Sequence, residues 1–220
     1  MILETSKIKL FYEKSGTGKP IILLHGNGED HTIFQKSISI LEKHFTVYAI
    51  DSRGHGSSSN VSELHYEDMA EDIFDFIEML ELEKPIVYGF SDGGIVALLL
   101  SIKYPKLLSK IVVSGVNANP KGIKTFWRLV FQLMYMFSKS MLFKLMLHEP
   151  NITDGMLKRI EIPVVITAGS KDMISLSHMQ KIADNISQSQ FKVFEGETHD
   201  SYVVNSEKIG EFIVTECVSE

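Results

Sequence analysis

Gly89-Phe90-Ser91-Asp92-Gly93 joins an apolar run over residues 85–90 to a helical pattern over 93–103 that stops before Pro105. A short apolar run bounded by a proline reads as a buried strand, and a helix ends before the residue that precedes a proline. Between the two, the pentapeptide fits G-x-S-x-G. That pattern puts the serine, strained, at the tip of a sharp turn, and the glycines on either side let strand and helix approach closely. The turn exposes the Ser91 hydroxyl beside a helix N-terminus, whose partial positive charge favours a developing anion.

The same alternation continues outward. Apolar runs at 20–25, 45–50, 110–114, 163–168 and 190–194 alternate with helical patterns at 32–44, 66–82, 175–186 and 206–218. Repeated strand–helix–strand units predict an α/β fold with a mostly parallel central sheet and helices on both faces. Residues 7–15 alternate and end at Gly16-Thr17-Gly18-Lys19, so an N-terminal hairpin-like pair adds an antiparallel edge. One insertion, from about 116 to 161, interrupts the rhythm. The chain 1–220 therefore reads as a single domain with a short helical cap.

Ligands of such sheets bind at the carboxyl ends of the strands. A serine hydroxyl there is a weak nucleophile until a base takes its proton. Asp172 follows the penultimate strand run and His199 the last, so the chain order is Ser91, Asp172, His199. In that order His199 is the general base and Asp172 the carboxylate that fixes its tautomer. Asp200 is a rival that more naturally solvates its loop, and Asp154 precedes the last two strands. His25-Gly26-Asn27-Gly28 closes the first buried strand. Its backbone can aim N–H groups at one spot, and Asn27 and Asp92 are the expected oxyanion donors. His25, Gly26, Gly28, Gly89 and Gly93 support these turns.

Taken in order, HGNG, DSRGHGSS, GFSDGG, GSKD and GETHD cover nearly the whole chain, and together they resemble the α/β-hydrolase superfamily. The sequence is similar to its small serine esterases with a reduced cap, and GFSDGG is similar to the elbow of the biphenyl-hydrolase-like enzymes. The resemblance implies cleavage of a carboxylic ester through an acyl-enzyme. The alternatives are a thioester, an amide, a carbon–carbon bond, or a non-enzymatic small-molecule sensor that keeps the fold. In the family the loop 51–58 is a structural turn. Serine at 91 departs from the aspartate nucleophile of epoxide hydrolases and haloalkane dehalogenases.

Composition narrows the partners. The 220 residues carry a net charge of −6, which disfavours nucleic acid. A single cysteine, Cys217, excludes an internal disulfide and multi-cysteine metal sites. Gly26-Asn27-Gly28 imitates a dinucleotide fingerprint, but His31 stands where the third glycine belongs, so no NAD site is expected. No His pair has metalloprotease spacing. The expectation is no cofactor and no metal, with a small apolar ester-like substrate. Absence of a basic, then apolar, N-terminal segment points to the cytoplasm.

Residues 123–147 are rich in Phe, Leu and Met, but Lys124, Arg128, Lys139 and Lys144 interrupt them, so a membrane span is not expected. At 100° per residue Lys121, Lys124, Arg128, Gln132 and Lys139 share a narrow sector. The segment is expected to be a lid that turns its basic face to water and its apolar face, including Met134, Met136, Met141 and Met146, to the substrate. Contact with a lipid surface through this helix is the lesser alternative.

Overall fold

The computed structural model describes residues 1–218. Among them eight strands form one sheet: β1 (Ile2–Glu4), β2 (Lys9–Ser15), β3 (Lys19–Leu24), β4 (Phe45–Ile50), β5 (Ile86–Phe90), β6 (Lys110–Ser114), β7 (Val164–Gly169) and β8 (Ser189–Phe194). Their order is β1-β2-β4-β3-β5-β6-β7-β8. The block from β4 to β8 is parallel, and β1 and β2 form an antiparallel edge.

The expected antiparallel N-terminal edge forms from β1 and β2, Ile2 opposite Phe11, and β2 does not pair across the turn at 16–19 with β3. β2 pairs with β4, Tyr12 opposite Ile50, and β4 separates it from β3. The reason lies in the strands themselves. Ile21 to Leu24 of β3 are buried, which suits a strand with parallel neighbours on both sides. β2 exposes Lys9, Glu13 and Lys14, which suits a position near the edge.

Eight α-helices accompany the strands: α1 (Gln35–Leu41), α2 (Tyr66–Met79), α3 (Asp92–Lys103), α4 (Thr125–Ser138), α5 (Met141–His148), α6 (Asp154–Leu157), α7 (Leu176–Asp184) and α8 (Lys208–Val218). Alternate strand residues point to opposite faces and build two cores. On one face Tyr88 and Val112 meet Phe34, Leu41, Ile209 and Ile213, from the α1 and α8 side. On the other, Val87 and Val113 meet Ile73, Phe76, Val96 and Met179, from α2, α3 and α7. α3 is buried from Asp92 to Ile102, which explains why it lacks a polar face.

Helices α4 to α6 occupy the insertion between β6 and β7 and form the cap. Its orientation differs from expectation. No residue of α4 is buried, and Phe126, Leu129, Leu133, Met134, Met136 and Phe137 are exposed. The edge that meets the protein carries Trp127, Phe131 and Tyr135. Phe131 stacks on Phe143 of α5 and Tyr135 meets His148 edge-on. Lys124 belongs to this inner side, because its ammonium donates to the backbone oxygen of Asp172. The basic sector thus overlaps the inner edge, and a broad apolar face is left outward. No helix of the described residues is long and apolar enough to cross a membrane.

β3 leads to β4 on one side, whereas β5 lies on the other side of β3. The chain direction switches at this point, so the loops after β3 and β5 diverge and leave a crevice at their carboxyl ends.

Candidate active site

Ser91 follows β5 and precedes α3 with φ +51 and ψ −113, a backbone conformation that a non-glycine residue rarely holds. The turn is tight because its neighbours come close. A Cβ on Gly89 would sit 2.3 Å from the Gly93 carbonyl oxygen, and one on Gly93 would sit 2.2 Å from that of Leu24. Ser91 keeps partial access to solvent.

Asp172 and His199 reach the same point from the loops after β7 and β8. His199 Nε2 lies 3.0 Å from Ser91 Oγ, and Nδ1 lies 2.7 Å from Asp172 Oδ1. The Asp172 carboxylate is buried, and its Oδ1 also accepts from the Ile174 amide at 2.8 Å. A carboxylate accepts, so Nδ1 donates to it and Nε2 is left to accept from the serine hydroxyl. The tautomer of His199 is thereby set by Asp172. The Phe90 ring packs 5.0 Å from the imidazole, and Gly115 backs it on the other side with φ +63.

The remaining carboxylates are placed differently. Asp200 is exposed and accepts from the Thr198 hydroxyl, as its loop position suggested. Asp154 starts α6 and pairs with Lys181. The Asp92 side chain is buried and turned away from the serine. It accepts from Asn27 Nδ2 at 2.8 Å and meets Tyr66, while burial raises its pKa. This leaves its backbone N–H, the first of α3 and so without a helical acceptor, at the serine. The backbone N–H groups of Asn27 and Asp92 take no acceptor among the described residues.

His25 locks the loop carrying Asn27. Its Nε2 accepts from the Ser52 amide at 3.0 Å, so its proton resides on Nδ1, 2.7 Å from the Gly26 oxygen. Only the neutral ring satisfies both contacts. Burial, with a smaller contribution from His55, lowers its pKa to about 4. Asp51 serves structure: it is buried and accepts from the amides of His31 and Ser57.

A cavity of about 590 Å³ opens over Ser91 and His199. That is within the range of small-molecule sites. Its roof comes from Trp127 and Phe131 of α4 and from Leu142, Phe143 and Met146 of α5. Met146 is the one cap methionine of the four expected that lines it. Met134 and Met136 face outward, and Met141 packs near Gly54. The floor holds one carboxyl group that no motif signals. Glu29 Oε2 accepts from the Gly26 amide at 3.0 Å, and burial raises its pKa to about 7 against the lowering effect of that bond. Gly115 and Lys124 are likewise invisible to local motifs, since their neighbours His199 and Asp172 come from distant sequence.

Residues 19–145 match the family model described as alpha/beta hydrolase fold. The chain belongs to that family. Serine hydrolase BPHL of Homo sapiens is 37% identical over 120 residues, covering 50% of this chain and 40% of that protein. The pimeloyl-acyl-carrier-protein methyl ester esterase of Vibrio campbellii is 33% identical over 112 residues, covering 51% of this chain and 42% of that protein. The matched region thus spans less than half the length of these relatives. Among solved structures, an esterase from Exiguobacterium antarcticum superposes with a TM-score of 0.85 at 21% identity, covering 98% of both chains. A meta-cleavage product hydrolase superposes with a TM-score of 0.82 at 18% identity, covering 100% of this chain and 98% of the other. The two structural likenesses concern the fold.

Proposed function

We propose that this chain, a single α/β-hydrolase unit capped by residues 116–161, is a serine hydrolase that cleaves a small carboxylic ester. The observation that carries the reading is the 3.0 Å approach of His199 Nε2 to the strained Ser91 hydroxyl at the base of the capped cavity. Ser91 Oγ attacks the ester carbonyl carbon while His199 Nε2 takes its proton. Asp172 holds the ring and stabilises the imidazolium. The carbonyl oxygen becomes an oxyanion between the N–H groups of Asn27 and Asp92, each worth roughly 10²- to 10³-fold in kcat. His199 then protonates the departing alkoxide, leaving an acyl group on Ser91. Water, activated by His199, attacks the acyl carbon and releases the acid. The relative named as a serine hydrolase supports a serine nucleophile, and the one named as a methyl ester esterase supports an ester over other acyl bonds.

The aromatic and aliphatic roof should reward apolar acyl chains. Each buried methylene contributes at most about 0.8 kcal/mol, or up to about fourfold in kcat/KM per added carbon until the cavity fills. A p-nitrophenyl ester series from acetate to laurate tests this. The expected profile rises from acetate to a short-to-medium chain and then falls. A steady decline from acetate onward would show that the cap does not hold the acyl group.

A further inference from the structure

The outward face of α4 is apolar and is not covered by any other described element of the chain. Seven of the twelve exposed large apolar side chains among the described residues belong to this one helix, with Phe126 67% and Phe137 79% exposed. At about 100° per residue, Met136, Leu129, Leu133, Phe126, Phe137, Val130 and Met134 fill one arc of roughly 160° that holds no charged residue. Scattered apolar side chains on a surface call for no explanation, whereas a contiguous patch marks an interaction site. We propose that this face is a docking surface for an anionic lipid bilayer.

Two observations choose that occupant. The first is size. A helix of 14 residues offers a strip about 21 Å long and about 10 Å wide. It presents six exposed apolar residues outward, Phe126, Leu129, Leu133, Met134, Met136 and Phe137, far fewer than the roughly 20–30 residues a side of a stable protein interface. A bilayer asks for no matching surface, only apolar side chains at the boundary and cations near the headgroups. The second is charge. From 121 to 148 the chain has five lysines or arginines and no acid, although the whole carries −6. Lys144 pairs with Glu63, and Lys124 is held at Asp172. Lys121 before α4, Arg128 along it and Lys139 at its end make no ion pair among the described residues. Long basic side chains at both ends of an apolar strip can reach phosphate while the strip beds into the boundary. The same helix roofs the cavity with Trp127 and Phe131, so docking would set the cavity mouth at the lipid boundary. Docking through this face is independent of the chemistry at Ser91.

The chain has one tryptophan, Trp127 on α4, which reports docking without a label. Vesicles of equimolar phosphatidylglycerol and phosphatidylcholine should shift its emission to the blue and carry the protein down on sedimentation. Pure phosphatidylcholine vesicles should bind at least tenfold more weakly, and raised salt should release the protein. Leu133→Ser with Phe137→Ser should lower partitioning at least tenfold and leave hydrolysis of a soluble ester unchanged, since neither residue lines the cavity. Lys121→Glu with Lys139→Glu should abolish the preference for anionic lipid. Failure to bind anionic vesicles would overturn the proposal, as would binding indifferent to phosphatidylglycerol or to the Leu133 and Phe137 substitutions. A dimer that those two substitutions dissociate would give the face to a second copy instead.

Discussion

Gly115→Ala tests whether the position of the His199 ring controls turnover. Gly115 follows β6, and a Cβ there would stand 2.5 Å from His199 Cε1 and 2.7 Å from Nδ1. Carbon atoms settle at about 3.5 Å, so the ring must retreat by about 1 Å. Such a shift disturbs both the 3.0 Å approach to Ser91 and the 2.7 Å bond to Asp172. A misplacement of about 1 Å at the reacting groups costs on the order of 10²-fold in rate. The left-handed backbone adds a penalty of about 1 kcal/mol for alanine. That corresponds to a loss of about 2–4 °C in Tm for a domain of this size. Gly196→Ala is the matched control, because its φ is +81 and a Cβ there meets nothing within 4 Å. Both variants should melt a few degrees early, and only Gly115→Ala should lose about 10² in kcat/KM on p-nitrophenyl butyrate. Wild-type kcat/KM in a folded Gly115→Ala protein would refute the assignment of His199 as the base.

Other substitutions address the acid and the two perturbed groups. Asp172→Asn should lower kcat by about 10⁴ by favouring the wrong imidazole tautomer, and Asp200→Asn should cost far less; reversed effects in a turnover assay would reassign the acid. Glu29, raised to about 7, changes charge at the cavity floor near neutrality. Its stability contribution is full below pH 4.5 and lost as pH rises through 7, so Glu29→Gln should gain Tm relative to wild type at pH 8 but not at pH 4. The same substitution should remove an inflection near pH 7 from the kcat/KM profile, which a stopped-assay pH series would read. His25, lowered to about 4, works in the opposite sense. Its contribution is present above pH 6.5 and lost as pH falls through 4, a difference of about 3 kcal/mol that denaturant unfolding at pH 7 and pH 4 should register in Glu29→Gln, where the opposing contribution of Glu29 is removed.

The parallel strands could be read from sequence because burial on both faces turns them into continuous apolar runs, as at 21–24 and 110–114. Ser91 was readable because a strained elbow needs glycines at fixed local offsets. Asp172 and His199 were readable from their order after the last two strand runs. Other features depend on which elements meet in space. Residues 9–15 alternate as any edge strand would, and nothing in them names β4 rather than β3 as partner. A helical wheel separates the basic and apolar sides of α4 but does not say which side meets the protein. The bond from Lys124 to the Asp172 carbonyl and the stacking of Phe131 on Phe143 settle that, and both join distant positions. Glu29 and Gly115 are ordinary residues until Gly26 and His199 are brought against them.

Covalent chemistry at Ser91 is open to rapid mixing with p-nitrophenyl butyrate followed by intact-mass and peptide analysis. The expected result is a burst of one p-nitrophenolate per chain, a butyryl adduct on the peptide containing Ser91, and neither burst nor adduct in folded Ser91→Ala. Turnover in wild type without a burst or adduct, turnover retained in Ser91→Ala, or an adduct on another residue would contradict it.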